Sequence, residues 1–381
     1  GAVRIAAMGF ENRPPTPAEL ETMQKLVAEA LEQGVFGLSS GLIYTPGAYA
    51  DTAELVALCQ VVKRYGGFYS THLRNEADDL VAAVDEALTI GREAGVPVQL
   101  SHHKVMGEKN WGIIDHTLGM ADKARADGHD VTLDQYPYSG SSTTFTAFLP
   151  PWSLAGGVDS LMARLADPAD RSRIRDEADA AKPMGWDKVL VAGVRNPQNQ
   201  EFEGKSIAEV GAALGMAGID AGIELLLREG GPFPIIRFGM SEADVSRVMR
   251  HPHVMIASDG YAFNHTEGGK PHPRSYGTFA RVLGKYVREE GNLALEEAIR
   301  KMTSLPAQRL GLWTRGLIRP GCAADLLLFR PEAVREEASF ADPHRYASGV
   351  DRVWVAGVEV WVDGRDTGAP AGRVFRRGRV N

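Results

Sequence analysis

Apolar and polar positions along this chain repeat in two alternating periods. Leu20, Met23, Val27, Ala30 and Leu31 follow the three-four spacing of a helix face. Thr16 stands where an N-cap belongs, Pro17 suits the first turn, Glu19 completes a capping box and Gly34 fits the C-terminal stop. The short apolar run at 35–39 reads as a buried strand. Asp51 and Glu54 repeat the capping-box pattern ahead of a helix that ends near Gly66. The alternation then predicts a strand at 67–72, a helix at 78–94 stopped by Gly95, a strand at 96–101, a helix at about 113–127 and a strand at 131–136.

His72, His102 and Asp134 close successive strands about 30 residues apart, with one helix in each interval. Strand–helix–strand units of this size imply right-handed crossovers and a parallel sheet. The polar residues choose between the two parallel architectures. Ser39-Ser40, Thr71-His72, Ser101-His102-His103, Asp134 and Ser258-Asp259 all follow apolar strand residues. Polar residues at the C-terminal ends of many strands describe the mouth of a (β/α)8 TIM-like barrel. An open doubly wound sheet would gather them near one switch point.

Residues of about 139–230 break the rhythm. The segment 138–152 is aromatic and rich in Ser and Thr, and polar helices and a strand at 189–193 follow it. This reads as an insertion over the barrel mouth, a candidate substrate lid. Strand Pro234–Phe238, helix Glu242–Arg250 and a strand at 254–258 resume the rhythm. Past Leu310 the pattern changes to a turn at 316–321, a strand at 324–329, and alternation over 350–361 around Ala356-Gly357, a hairpin signal. The division is therefore a barrel over 1–310 and part of a small β domain over 311–381. So few strands do not bury a core by themselves.

Composition narrows the function classes. The chain has 381 residues, with 42 Lys and Arg against 49 Asp and Glu, a net charge of −7. An acidic chain argues against nucleic acid, whose phosphates need a basic face. Two cysteines, Cys59 and Cys322, build neither a disulfide framework nor a cysteine zinc site, which points to a reducing, cytoplasmic location. No apolar run reaches the 18 residues of a membrane helix, so no membrane partner is expected.

The chemistry concentrates at Thr71-His72, Ser101-His102-His103 and Ser258-Asp259-Gly260. Neutral imidazole is a common metal ligand and suits zinc. One histidine at a strand end is as readily a hydrogen-bonded core residue. Two on consecutive strands, with an aspartate on a later one, converge on a single point above a barrel. His103 points oppositely to His102 along its strand and reads as structural.

These motifs carry a resemblance. GLSSGLIYTPG (37–47), STHLRNE (70–76), LSHHKVMG (100–107), LDQYPYSGSS (133–142), IASDG (256–260), PHPRSYGTF (271–279) and GLIRPGCAADLLLF (316–329) run over essentially the whole chain. They resemble the metal-dependent amidohydrolase superfamily, and within it the D-aminoacylase or N-acyl-D-amino-acid deacylase family. SHHK, SDG and PHPR are the specific parts, and the GLIRPG turn is shared more widely. The resemblance implies hydrolysis of the amide bond of an N-acyl-D-amino acid, with one or two zinc ions. It implies that His72 and His102 are metal ligands from barrel strands five and six. It implies that Asp259 both binds metal and moves the proton from water to the leaving nitrogen. Zinc lowers the pKa of water from near 16 to about 7. Arg274 and Tyr136 match residues holding the substrate carboxylate, Lys104 matches a substrate contact, and Tyr44 and Ser142 are further contacts. Tyr44 and Ser142 fit equally as loop residues with local hydrogen bonds, and His272 reads as a turn residue.

The departure lies at the beginning. Family members carry a His-x-His metal pair on a first barrel strand. Of the ten histidines, 72, 102, 103, 116, 129, 251, 253, 265, 272 and 344, only His251-Pro252-His253 has that form, and its proline marks a helix-to-strand turn. Residues 1–10 resemble the region around the third strand. The expectation is a barrel of strands three to eight with a small β-sandwich domain, its first strands carried by an N-terminal polypeptide with His-x-His. A chain cut short of its natural start would read the same. Two other readings compete: a hydantoinase- or dihydroorotase-like enzyme for cyclic amides, and a non-catalytic paralogue. Arg274 and the SHHK and PYSGSS segments favour an acyclic carboxylate, and the intact His72, His102 and Asp259 argue against decay.

Overall fold

The first part of the chain alternates helix and strand as its periodicity predicts: α1 (Ala2–Met8), α2 (Pro17–Glu32), β1 (Gly37–Gly41), α3 (Thr52–Arg64), β2 (Phe68–His72), α4 (Leu80–Ala94), β3 (Val98–Leu100), α5 (Ile114–Ala126) and β4 (Val131–Gln135). The computed structural model describes residues 1–263, 266 and 268–378, and His265 lies outside the described residues. The Thr16–Glu19 capping box forms in full. The second box forms only by half. Asp51 accepts the Glu54 N–H, but the Glu54 side chain turns away into a buried ion pair with Arg4.

The next stretch is a unit of its own: β5 (Gly140–Thr144), α6 (Val158–Ala166), α7 (Pro168–Ala181), β6 (Val189–Val191), α8 (Ile207–Leu214), α9 (Gly218–Glu229) and β7 (Pro234–Phe238). β7 lies between β5 and β6 in an antiparallel sheet. Phe145, Phe233, Leu226 and Ile235 belong to a separate core there. This corrects the sequence expectation in two places. The insertion runs on through β7, and Pro234–Phe238 is not a barrel strand. The reason is long-range: its apolar residues found antiparallel partners about a hundred positions back.

The barrel resumes with α10 (Glu242–Arg250), β8 (Val254–Ile256), α11 (Arg274–Arg281), α12 (Leu295–Met302) and α13 (Ser304–Arg309). β8 pairs directly with β4, so the parallel order is β1-β2-β3-β4-β8, open at both edges. Residues 2–8 form helix α1, not a third barrel strand. The main core packs α2 to α5 on this sheet around Val62, Val84, Ile90 and Leu100. Each such side chain contributes about 1.5–3 kcal/mol on burial. α4 approaches β3 so closely that a Cβ at Gly91 would stand 2.2 Å from Val98 Cγ2.

The chain ends in β9 (Leu326–Phe329), β10 (Val350–Val355), β11 (Val358–Val362) and β12 (Arg365–Asp366), ordered β12-β11-β10-β9. These strands pair antiparallel in one small sheet. The expected hairpin turns at Ala356 and Gly357, both with positive φ, which matches the twist of the flanking strands. Among the described residues, no single helix is long and apolar enough to cross a membrane.

Candidate active site

The parallel register pairs Thr71 with Leu100, so β2 and β3 release His72 and His102 side by side. His72 Nδ1 and His102 Nε2 are 2.9 Å apart, with ring centroids at 4.5 Å. His102 adopts a left-handed φ of 37° and Asp259 one of 48°. Side chains other than glycine rarely hold that region, and strain of this kind gathers at functional sites. Asp134 holds His102 in place. Its Oδ1 accepts the His102 N–H at 2.7 Å, and its Oδ2 accepts from Gln99 Nε2 at 2.6 Å. Burial pushes the Asp134 carboxyl above its ordinary pKa.

Glu76 completes the cluster. It leaves the chain four residues after His72 and is buried. Its Oε1 lies 3.2 Å from His102 Nδ1 and its Oε2 lies 3.7 Å from His72 Nε2. Lys104 is buried beside them, ion-paired to Glu76, with Nζ 2.7 Å from His102 Nδ1. Burial pushes the His72 pKa down to about 3, so the ring is neutral and open to a metal. Burial alone would raise the Glu76 carboxyl, but His72 and Lys104 outweigh it and hold it well below the usual range. Burial lowers the Lys104 ammonium against the pull of Glu76.

One donor atom from each of His72, Glu76 and His102 lies within 4.8 Å of the others. His72 Nε2 is buried without a hydrogen-bond partner. Such an atom is costly unless something satisfies it. Two imidazoles and a carboxylate are donors a divalent metal takes in a catalytic site, with a further position left open. The residues fit a metal ion.

Asp259, expected with His72 and His102, lies outside that group of donor atoms. Its Oδ2 lies 2.8 Å from Arg274 Nη1 instead. Arg274 is buried at the start of α11, and a nearby guanidinium fork captures a carboxylate readily. His272 fixes that turn, as expected. Its Nδ1 accepts the Arg274 N–H at 3.0 Å and its Nε2 donates to the Gly140 carbonyl at 2.9 Å. His103 is structural, bonded through Nε2 to Thr117 Oγ1 at 2.9 Å. His251 reaches Asp122 at the turn between α10 and β8.

The remaining candidates share one cavity of about 860 Å³ with the cluster and Asp259. The Tyr136 ring lies 4.9 Å from the Arg274 guanidinium and 5.5 Å from Lys104 Nζ. Its hydroxyl is buried and unpartnered, and burial raises its pKa. Tyr44 packs on His72 at 5.1 Å and shares a 2.9 Å hydrogen bond with Thr143 of the insertion. Ser142 lines the cavity from β5. Lys104 also reaches the cavity, but its charge is committed to Glu76. Sequence reading missed two wall residues. Glu76 lay unassigned inside STHLRNE, and Arg237 is a lone charge in an otherwise apolar strand.

A model of the amidohydrolase family matches residues 2–361. The chain is 40% identical to an N-acyl-D-aspartate deacylase of Alcaligenes xylosoxydans xylosoxydans over 368 residues, 96% of this chain and 65% of that protein. It is 37% identical to a D-aminoacylase of the same organism, over 98% of this chain and 68% of that one. It thus spans about two thirds of the length of these relatives. A crystal structure of an N-acyl-D-glutamate deacylase from Bordetella bronchiseptica, with zinc and a phosphonate inhibitor, superposes with a TM-score of 0.82 at 35% identity, over 98% of this chain and 69% of that one. A D-hydantoinase is far more distant, at 13% identity and a TM-score of 0.53, and shares the fold alone. These findings bear out the expected resemblance and barrel class. They give no support to a separate N-terminal chain.

Proposed function

The chain belongs to the amidohydrolase family, and from that premise we propose that it hydrolyses the amide bond of N-acyl-D-amino acids to a carboxylate and a free amino acid. The observation that carries this reading is the His72–Glu76–His102 cluster at the strand ends, with the Arg274–Asp259 pair on the same cavity.

His72, His102 and Glu76 would hold zinc. The donor chemistry supports that choice, as does the zinc bound by the Bordetella relative. Among the described residues this is the single group of its kind, which supports one ion held by this part of the protein. Bound zinc supplies Lewis acidity toward an amide carbonyl and makes a water more acidic.

The protein side chains do the rest. Arg274 occupies Oδ2 of Asp259, leaving Oδ1 to receive a proton from the attacking water and return it to the leaving nitrogen. An amide nitrogen leaves poorly until it is protonated, so one carboxylate serves both steps. Tyr136 turns its unpartnered hydroxyl to the substrate carboxylate, with Lys104 and Arg274 flanking its ring. Tyr44 and Ser142 form the wall shared by barrel and insertion. The two free cysteines support a cytoplasmic location.

The test is to assay the zinc-loaded full-length protein on N-acetyl derivatives of D- and L-amino acids, before and after chelation. Stereoselective release of the D-amino acid, lost with chelator and restored by zinc, is expected. A zinc-loaded protein that hydrolyses none of the D-derivatives overturns the proposal.

A further inference from the structure

Among the described residues, charged side chains on the cavity wall come in pairs, with one exception. Arg4 has Glu54, Lys104 has Glu76 and Arg274 has Asp259. Arg237 has no carboxylate among the described residues. It sits in the middle of β7, facing Ser141 across β5, and its residue is only 6% exposed. Its Nε donates to Ser141 Oγ at 3.2 Å, and the Phe148 ring lies 5.9 Å from the guanidinium carbon. Neither neighbour carries negative charge.

A guanidinium does not shed its proton inside a protein. A buried charge without a partner is strongly unfavourable, so the site is complete only when an anion enters. The fork matches a carboxylate through two parallel bonds. The α-carboxylate that every N-acyl amino acid carries falls to the unpartnered Tyr136 hydroxyl on the barrel side, whose ring Lys104 and Arg274 flank. Arg237 belongs to a different element, the sheet of the insertion. We infer that Arg237 receives a second carboxylate, on the substrate's side chain, and that the enzyme selects N-acyl amino acids of the aspartate and glutamate type. This inference rests on the deacylase reading.

Isosteric pairs isolate the charge. The zinc-loaded full-length protein is assayed on N-acetyl-D-glutamate against N-acetyl-D-glutamine, and on N-acetyl-D-aspartate against N-acetyl-D-asparagine. The wild type favours the acid of each pair in kcat/KM. In Arg237→Met that preference falls about ten- to a hundredfold, the range of a lost charged hydrogen bond. Arg237→Lys recovers part of it, since an ammonium keeps the charge without the fork. Calorimetric binding of the two glutamate-type compounds gives the same comparison without turnover.

A wild type that treats acid and amide alike overturns the inference, whatever the variants do. So does an Arg237→Met variant that loses equally on both members of a pair. If that variant also stops distinguishing N-acetyl-D-leucine from its carboxamide, Arg237 binds the α-carboxylate instead. Hydrolysis of neutral substrates alone sinks the role of Arg237 and leaves the deacylase reading standing. Hydrolysis of no N-acyl-D-amino acid sinks both.

Discussion

Arg274 Nη1 stands 2.8 Å from Asp259 Oδ2, and this pair joins the start of α11 to the strained residue that follows β8. It leaves Asp259 one free carboxylate oxygen. Asp259→Asn is expected to lower kcat by about 10²–10⁴ with little change in KM. Arg274→Ala is expected to lower kcat as well, because the carboxylate loses its position. The double variant should show a coupling of about 0.5–3 kcal/mol. Additive losses in the double-mutant cycle would show that the two residues act independently.

The metal assignment separates Glu76 from Asp259. His72→Ala, His102→Ala and Glu76→Gln are each expected to lose most of the bound metal, measured by elemental analysis of purified protein. Asp259→Asn is expected to keep it. Full metal in Glu76→Gln together with loss in Asp259→Asn would return Asp259 to the ligand set.

Tyr136 offers a test of binding without a stability effect. Its hydroxyl has no protein partner, so Tyr136→Phe leaves no group unsatisfied. The melting temperature should stay within a degree or two. kcat/KM for an N-acetyl amino acid should fall about ten- to a hundredfold, and less for its carboxamide. A drop in stability with unchanged selectivity would make Tyr136 a packing residue.

Acid stability follows from two buried histidines away from the surface. Burial holds His103 and His272 down to about 3, against an ordinary value of 6.5. Between those values the unfolded chain binds protons that the native state refuses. Stability from these groups is therefore full above pH 6.5 and is lost as pH falls toward 3. Near pH 5 the two together give a slope of about 3 kcal/mol per pH unit. His272→Asn keeps an acceptor and a donor at the α11 turn, and denaturant unfolding at pH 7 and pH 5 should show about half that slope. An unchanged slope would mean that His272 is not held neutral by the fold.

What the sequence determined by itself was local. The Thr16–Glu19 box, the left-handed stop at Gly95, the hairpin at Ala356-Gly357 and the helix Glu242–Arg250 depend on residues within a turn or two of one another. Propensity and capping act at that range, so these elements appear where the pattern put them. The place of His72 and His102 at adjacent strand ends was also readable, because the βα repeat sets it. Tertiary structure alone decided the rest. Pro234–Phe238 has the same apolar pattern whether it joins a parallel barrel or an antiparallel insertion, and Ser141 and Val189 decided which. Glu54 has a capping-box position, and Arg4, fifty residues away, took its side chain. Glu76 came to lie beside the histidines, and Asp259 to face Arg274. Charges pair across space with whatever partner burial brings within reach, and no spacing along the chain records that choice.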